Sequence, residues 1–261
     1  MPQFSRYLGI DYSGAATADT ALTGLRVYRA DRTHEPVEIR PDVNRSRHWT
    51  RRTLAGWLID ELSKGPPALV GIDHGFSFPL AYFERHHLPL SWDAFLADFC
   101  QHWPTDRRNT PVDLIRRGVD GNPAPRLGNA RWRRLTEIRS GPAKSVFHFD
   151  VPGSVAKSTH AGLPWLSAIR TRLGSGVHVW PFDGWQPPAG RTVFAEVYPS
   201  LWKHRHPPGG RTPDQQDAFS VASAFQDADT IKGRLAGLFA PSLTPGETLQ
   251  ASIEGWILGV V

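Results

Sequence analysis

Short hydrophobic runs and alternating patterns at the start of the chain predict three strands. The apolar run at 7–10 ends at Asp11, and apolar and polar residues alternate over 21–29. Val37 and Ile39 alternate again after a polar break. Alternation with a period of two indicates strands that bury one face. We therefore predict three consecutive antiparallel strands.

A helix and a buried strand follow these three strands. Apolar residues recur at helical spacing between 50 and 63, and Gly65 with the following prolines ends the helix. Residues 68–72 are a continuous apolar run that leads into Asp73, as in a strand buried on both faces. In a ribonuclease H-like sheet, the fourth strand returns beside the first, in parallel, through a right-handed crossover. We therefore predict an α/β fold with Asp11 and Asp73 side by side at the carboxyl edge.

The remaining pattern predicts one domain over 1–261 that carries a long Pro- and Arg-rich insertion at 76–190. Helical spacing within the insertion predicts three helices, at Trp92–Cys100, Ala130–Ile138 and Leu163–Leu173. After it we expect a parallel strand at 192–197, a helix from Pro213 to about Phe225, and an apolar closing segment at 253–258 that packs on the body.

Composition is that of an ordinary globular protein. Hydrophobic residues make up 40% of the 261 residues and charged residues 21%, which argues against disorder. No apolar run is long enough to cross a bilayer, and the first residues do not resemble a signal peptide. A single cysteine, Cys100, excludes an intrachain disulfide. We expect a cytoplasmic protein that does not bind membranes.

Basic residues are concentrated in one part of the insertion. The net charge is only +5, but residues 107–144 contain ten basic side chains and three acidic ones. Such an excess indicates either a nucleic-acid-contacting surface or a solvated arginine-rich loop. On the first interpretation, Arg131, Arg133 and Arg134 contact the substrate. Lys157, in a serine-rich turn that lacks the full phosphate-loop pattern, is a further candidate for a phosphate contact.

Acidic residues also mark the predicted helix that follows the strand at 192–197. Thr212 and Gln215 form a capping-box pattern, so Asp214 either favours the helix dipole or belongs to a site. Asp217 lies on the same face, at the edge of the apolar stripe. A carboxylate there is costly unless it is paired or bound to a metal.

The predicted position of the acids indicates a divalent-metal site. Asp11 and Asp73 repel each other at adjacent strand ends, and a cation would keep both ionised. With Asp217 they offer oxygen ligands, which suit Mg²⁺ or Mn²⁺, and two such ions support phosphodiester hydrolysis. Glu196 is either a fifth acid or the partner of a basic residue such as Lys203. His74 either assists catalysis or caps the loop after Asp73.

Several short motifs together resemble a bacterial family of predicted ribonuclease H-like nucleases, a domain family of unknown function. The motifs that carry the resemblance span most of the chain: Gly9-Ile10-Asp11, Gly71-Ile72-Asp73-His74-Gly75-Phe76-Ser77-Phe78-Pro79, Ser145-Val146-Phe147, Glu196-Val197-Tyr198-Pro199, Asp214-Gln215-Gln216-Asp217-Ala218 and Glu254-Gly255-Trp256. Asp214 and Asp217 are spaced by three on the last long predicted helix. This acid pair is similar to that of the Holliday-junction resolvase branch of the ribonuclease H-like superfamily. The resemblance implies a metal-dependent nuclease with Asp11, Asp73, Asp214 and Asp217 as ligands. His74 departs from the apolar residue or proline expected there.

Two other functions share this predicted sheet. A phosphotransferase of the sugar kinase and actin kind places glycine near an acid after a strand, as at 9–14 and 71–75, but normally uses two such sheets. A non-catalytic nucleic-acid-binding scaffold would keep the fold, yet unneutralised acids repel phosphates. ATP binding would favour the first alternative, and nucleic-acid binding that is insensitive to EDTA would favour the second.

Overall fold

The computed structural model describes residues 3–42, 46–119 and 126–261. Asp120, one of the acids counted in the basic region, and residues 121–125 of the predicted insertion lie outside the described residues. The described strands form one mixed sheet in the order β3-β2-β1-β4-β6-β5. Their bounds are β1 Arg6–Asp11, β2 Arg26–Asp31, β3 Val37–Glu38, β4 Ala68–Asp73, β5 Val177–Val179 and β6 Thr192–Glu196.

The described helices flank this sheet. Their bounds are α1 Arg51–Lys64, α2 Leu80–His86, α3 Trp92–His102, α4 Val112–Arg116, α5 Leu135–Arg139, α6 Ala156–Leu173, α7 Pro213–Thr230, α8 Arg234–Leu238 and α9 Pro245–Glu254. Within the described residues, no helix combines the length and the apolar character needed to cross a bilayer. The α/β class predicted from the sequence is confirmed.

The first four strands have the predicted order and directions. β1 pairs with β2, and β2 with β3, in antiparallel fashion. α1 then crosses over and β4 returns parallel to β1. The side chain of Thr50 caps α1 by accepting from the amide of Thr53, and the helix ends at Gly65. The predicted return of the fourth strand beside the first is therefore confirmed.

Alternating strand residues divide the core between the two faces of the sheet. Leu8 and Ile10 belong to the core on the α1 side, together with Leu58. Tyr7 belongs to the other core, with Phe225 of α7. Because successive strand side chains point to opposite faces, Gly9 and Asp11 lie on the α7 face. α7 packs directly on β1 and β2.

Two predicted strand and helix starts were wrong. β2 begins at Arg26 rather than near residue 21, because Leu22 and Leu25 lie in a turn whose apolar side chains are nevertheless buried. The helix predicted at Ala130–Ile138 is only α5, since Arg134 has an extended backbone and precedes the helix as its cap. Burial in loops imitates strand alternation, so periodicity alone misplaced these boundaries.

The remaining differences lie at α6, β5 and the end of the chain. α6 begins at Ala156, seven residues before the predicted start, because its first two turns bury Ser158, Thr159 and His160 instead of apolar residues. The three-residue strand β5 was not predicted, and it adds an edge strand parallel to β6 from within the 76–190 range. The closing segment packs as expected: Leu258 donates to the carbonyl of Glu196 at 2.9 Å.

Candidate functional site

Asp11 and Asp73 occupy matching positions at the ends of neighbouring parallel strands. The register of β1 and β4 pairs Arg6 with Ala68 at one end and Asp11 with Asp73 at the other. Both acids remain partly exposed, whereas the strand residues before them are buried. The side-by-side placement predicted from the sequence is confirmed. It forms the centre of the candidate site.

Two glycines let α7 pack closely over these strands. A Cβ atom at Gly9 would lie 2.1 Å from the carbonyl oxygen of Ala218, and one at Gly71 would lie 2.7 Å from Val221 Cγ1. Both distances are too short for a real Cβ atom. The strands can contact α7 directly because Gly9 and Gly71 have no side chain. Each glycine precedes its aspartate by two residues, so α7 covers the face toward which both acids point.

The first turns of α7 bring two more carboxylates to this edge. The Thr212 hydroxyl accepts from the amide of Gln215 at 3.3 Å, and the Gln215 side chain accepts from the amide of Thr212 at 2.9 Å. This is the predicted capping box, and it fixes the start of the helix. Asp214 and Asp217 follow within two turns, and both are partly exposed.

Mutual repulsion shows that the four aspartates share one neighbourhood. The pKa of Asp11 is raised well above its usual value, first by burial and then by the charges of Asp73, Asp214 and Asp217, while Arg26 opposes the shift. Burial and then Asp214 also raise the pKa of Asp217. Groups with raised pKa values favour the protonated form unless a cation is near.

Asp73 lies in an environment that strongly disfavours its ionised form. Burial, followed by the charges of Asp217 and Glu196, raises the pKa of Asp73 to about 8. Lys203 opposes this shift. One carboxylate oxygen of Asp73, Oδ1, is buried and has no hydrogen-bond partner in the described part of the chain. A buried oxygen without a donor is a position that a cation or a donor would stabilise.

The donor chemistry suits a hard divalent cation, but the acids do not converge on one point. All four candidate ligands are carboxylates, the type that Mg²⁺ and Mn²⁺ prefer. In residues 3–42, 46–119 and 126–261, no group of three His, Cys, Asp or Glu side chains is close enough to hold one ion. Asp11 and Asp73 lie side by side, and Asp73 Oδ1 has no hydrogen-bond partner among the described residues. These two residues are therefore the best candidates for the first ligands of a metal ion.

Glu196 is held by an arginine. Its carboxylate lies 2.5 Å and 2.7 Å from the two terminal nitrogens of Arg134, and both residues are buried. Arg134 also bonds Glu137 through Nε at 2.9 Å. Of the two interpretations left open for Glu196, pairing with a basic residue is observed, although the partner is Arg134 and not Lys203. The same carboxylate accepts from the amide of Phe76 at 3.0 Å.

His74 lies on the other face of the sheet from the aspartates. It is buried, and its Nδ1 lies 2.9 Å from the carbonyl oxygen of Gly75. Burial lowers its pKa to about 4, so the ring is neutral at pH 7. The ring contacts Tyr12 and Phe76 edge-on or tilted and packs on Gly162. In this position it holds the loop after β4 and does not face the acids.

The four basic residues predicted to contact substrate lie in different environments. Arg131 is exposed, and Lys157 lies 2.7 Å from Asp113 at the surface. The Arg133 guanidinium donates to backbone carbonyls, including that of Ala143 at 2.8 Å. Arg134 is fully buried in the ion pairs with Glu137 and Glu196. Of these four, Arg131 presents its charge to solvent without an ion pair among the described residues.

Lys203 is a site residue that the sequence suggested only as a partner of Glu196. It lies in a short 3-10 helix, Lys203–Arg205, and it lowers the pKa values of Asp73 and Asp217. The Gln216 side chain donates to the carbonyls of Lys203 and His206, which fastens this segment to α7. The basic run at 203–205 soon after an acid-ended strand was the signal available in the sequence.

Comparison with known proteins adds no relative to these observations. No family model, curated protein or solved structure matches the chain.

Proposed function

We propose that this protein is a divalent-metal-dependent nuclease built on a ribonuclease H-like sheet. Three antiparallel strands, a crossover helix and a parallel return strand support that fold assignment. The observation that carries the function is the pairing of Asp11 with Asp73, with α7 packed over both. This arrangement places four carboxylates at the edge where open α/β sheets position their chemistry.

In this proposal, Asp11 and Asp73 would hold Mg²⁺ or Mn²⁺ first, and Asp214 and Asp217 would complete the site by closing on the bound ion. Asp11 and Asp73 provide the strand ligands, and Asp214 and Asp217 approach from α7. A bound ion would supply positive charge for a phosphodiester transition state and would lower the pKa of a bound water molecule. Lys203 lies close enough to Asp73 and Asp217 to favour their ionised forms. Glu196 and Arg134 fix the loop after β4 and keep the end of that strand in place.

The proposed substrate is nucleic acid, whose phosphates would contact the basic region at 107–144. Many of its charges are engaged: Arg116 pairs with Asp150 and Arg126 with Asp98, both with contacts of 2.6 Å. Arg107, Arg108 and Arg131 have no ion pair within 4.0 Å among the described residues, and their charges support contact with phosphates. The positive surface is therefore smaller than the sequence count suggests.

Calorimetric titration of Mn²⁺ tests the proposal directly. We expect the wild type to bind Mn²⁺ and an Asp11→Asn/Asp73→Asn variant to bind at least about tenfold more weakly, since two carboxylate ligands are lost. The matched control is Asp60→Asn/Asp227→Asn, which removes two exposed charges from α1 and α7. It should retain wild-type binding.

A folding readout and a cleavage assay complete the test. Because burial, followed by repulsion, raises the pKa values of both aspartates, the Asp11→Asn/Asp73→Asn variant should unfold at higher urea concentration than the wild type in EDTA. With Mn²⁺, the wild type should cleave at least one of a branched, a single-stranded or an RNA–DNA hybrid substrate, and the variant none. Absence of Mn²⁺ binding by the wild type, even with oligonucleotide present, would overturn the proposal.

A further inference from the structure

A small cavity lies on the opposite face of the sheet from the aspartates. It lies between β1, β4, α1 and α6, and Ile10, Leu58 and Ile72 provide much of its apolar lining. Tyr12 and His74, from the loops that follow β1 and β4, also line it. The centre of a water molecule could move within a volume of about 10 Å³ inside this cavity. That is enough space for one water molecule. Because Arg51 contributes a cationic side chain to the lining, we name it the Arg51 cavity.

Three polar atoms from the lining of the Arg51 cavity lack a hydrogen-bond partner among the described residues. They are the hydroxyl of Tyr12, Nε of Arg51 and Nε1 of Trp165. The three side chains are 9%, 0% and 9% exposed, so bulk water does not satisfy them. Buried polar groups without partners are rare in folded proteins, and three around one cavity indicate a common missing partner.

The chemistry of these atoms identifies that partner as an acceptor. Arg51 Nε and Trp165 Nε1 can only donate hydrogen bonds, and the Tyr12 hydroxyl can donate one. Two donor-only groups cannot satisfy each other. The three side chains line one cavity, so a single acceptor bound in it could receive all three bonds.

The charge of Arg51 favours an anion over a water molecule. The guanidinium is fully buried, and its other bonds go to the carbonyls of Ser13, Ala15 and Ala16 at 2.7–3.1 Å. Carbonyls solvate a cation but do not neutralise it. Asp19 is exposed and is held by Arg52 at 2.6 Å instead. A buried charge without an ionised contact is costly, and a bound anion would offset it.

We propose that the Arg51 cavity binds one monovalent anion of halide size, with Arg51, Tyr12 and Trp165 as its donors. Chloride is the anion of this size that ordinary buffers supply. The proposal does not depend on the nuclease activity, because the cavity and the aspartates occupy opposite faces of the sheet.

Bromide provides a direct structural test. Crystals of the wild type would be grown or soaked in about 0.2 M sodium bromide, a moderate salt concentration. X-ray diffraction would then be recorded at the bromine absorption edge. We expect one anomalous peak in the cavity, within hydrogen-bond reach of Arg51 Nε and Trp165 Nε1. Ordinary water density without anomalous signal at this position would overturn the proposal.

Thermal unfolding gives an independent solution test. A ligand that binds only the folded state raises the unfolding temperature, so the wild type should melt about 2–4 °C higher in sodium chloride than in sodium gluconate of equal ionic strength. Trp165→Phe keeps the packing and removes one donor, and it should show at most about half of this shift. The control is Trp103→Phe, because Trp103 Nε1 is also buried without a partner in the described part of the chain but lies outside the cavity. An equal shift in Trp165→Phe and wild type, or no difference between the salts, would contradict anion binding.

Discussion

At the scale of single residues, the least expected feature is a neutral histidine inside an aromatic cluster. His160 is 1% exposed and its ring lies against Phe78, Trp103 and Phe149. Its Nδ1 lies 2.9 Å from the carbonyl oxygen of Ala156, one turn earlier in α6. Burial lowers the pKa of His160 to about 3, so the ring stays neutral in the folded protein at any mildly acidic pH.

This burial predicts a loss of stability in acid. Below about pH 6.5 the unfolded chain protonates His160 and the folded protein does not, so stability is present above that pH and falls as pH decreases. Between pH 7 and pH 5 this histidine alone removes about 2 kcal/mol. His160→Phe should reduce the acid-induced loss by about that amount in urea unfolding curves.

The control for this experiment is His87→Asn, which replaces an exposed histidine that has a left-handed backbone. It should keep the wild-type dependence on pH. If His160→Phe also kept it, the ring would be protonated in the folded protein and our description of its environment would be wrong.

At the scale of elements, the contact between α7 and the two central strands decides where the carboxylates meet. The strands contribute Asp11 and Asp73 through a simple register, but Asp214 and Asp217 reach the same edge only because α7 lies against the strand backbone. Gly9 and Gly71 make that approach possible. The close packing of α7 on β1 and β4 thus depends on the absence of side chains at Gly9 and Gly71.

Filling one of these positions should displace the helix. Gly9→Ala would place a methyl group 2.1 Å from the Ala218 carbonyl, so we expect a loss of about 3 kcal/mol or more in the free energy of unfolding. Mn²⁺ affinity should fall as well, because Asp214 and Asp217 move with α7. Urea unfolding and calorimetry measure the two effects.

Gly56→Ala is the matched control, since a Cβ there meets nothing within 4 Å and the residue lies inside α1. Removing a glycine from a helix interior should stabilise the protein by up to about 1 kcal/mol and leave Mn²⁺ binding unchanged. Wild-type stability in Gly9→Ala would show that α7 can shift without cost, contrary to our account.

At the scale of the whole molecule, a buried group of charges joins segments that are far apart in sequence. Arg134, which precedes α5, binds Glu196 at the end of β6 and Glu137 within α5. Nearby, Glu254 at the end of α9 accepts from the amides of Leu80 at 2.6 Å and Leu135 at 2.7 Å. Segments from the 76–190 range and the closing segment are therefore tied to the sheet by buried polar bonds.

Removing the shared cation should destabilise the whole molecule. Arg134→Met leaves Glu137 and Glu196 buried without their partner, and we expect a loss of about 3–5 kcal/mol in urea unfolding. The comparison is Arg139→Met, whose ion pair with Glu247 lies at the surface and is screened by solvent, so its loss should be far smaller.

A triple variant separates buried charge from packing. Adding Glu137→Gln and Glu196→Gln to Arg134→Met removes the unpaired charges and should recover part of the lost stability. Equal effects of Arg134→Met and Arg139→Met would instead show that the buried group is a minor contribution.

The sequence by itself determined the elements whose signals are local. The apolar run before Asp11, the buried run before Asp73 and the capping box at Thr212 each depend on neighbouring residues, so β1, β4 and the start of α7 were predicted correctly. The parallel return of β4 beside β1 then placed Asp11 beside Asp73, because a return through one helix leaves few arrangements.

Tertiary structure alone decided which charges pair and which stay free. Local patterns contain no signal that Arg134 would leave the basic surface to hold Glu196, 62 residues away, or that α6 would bury polar residues in its first turns. The same is true of the Arg51 cavity, whose donors come from the loop after β1, from α1 and from α6. Such choices depend on distances between remote segments, and those distances are fixed only when the sheet and its helices have packed.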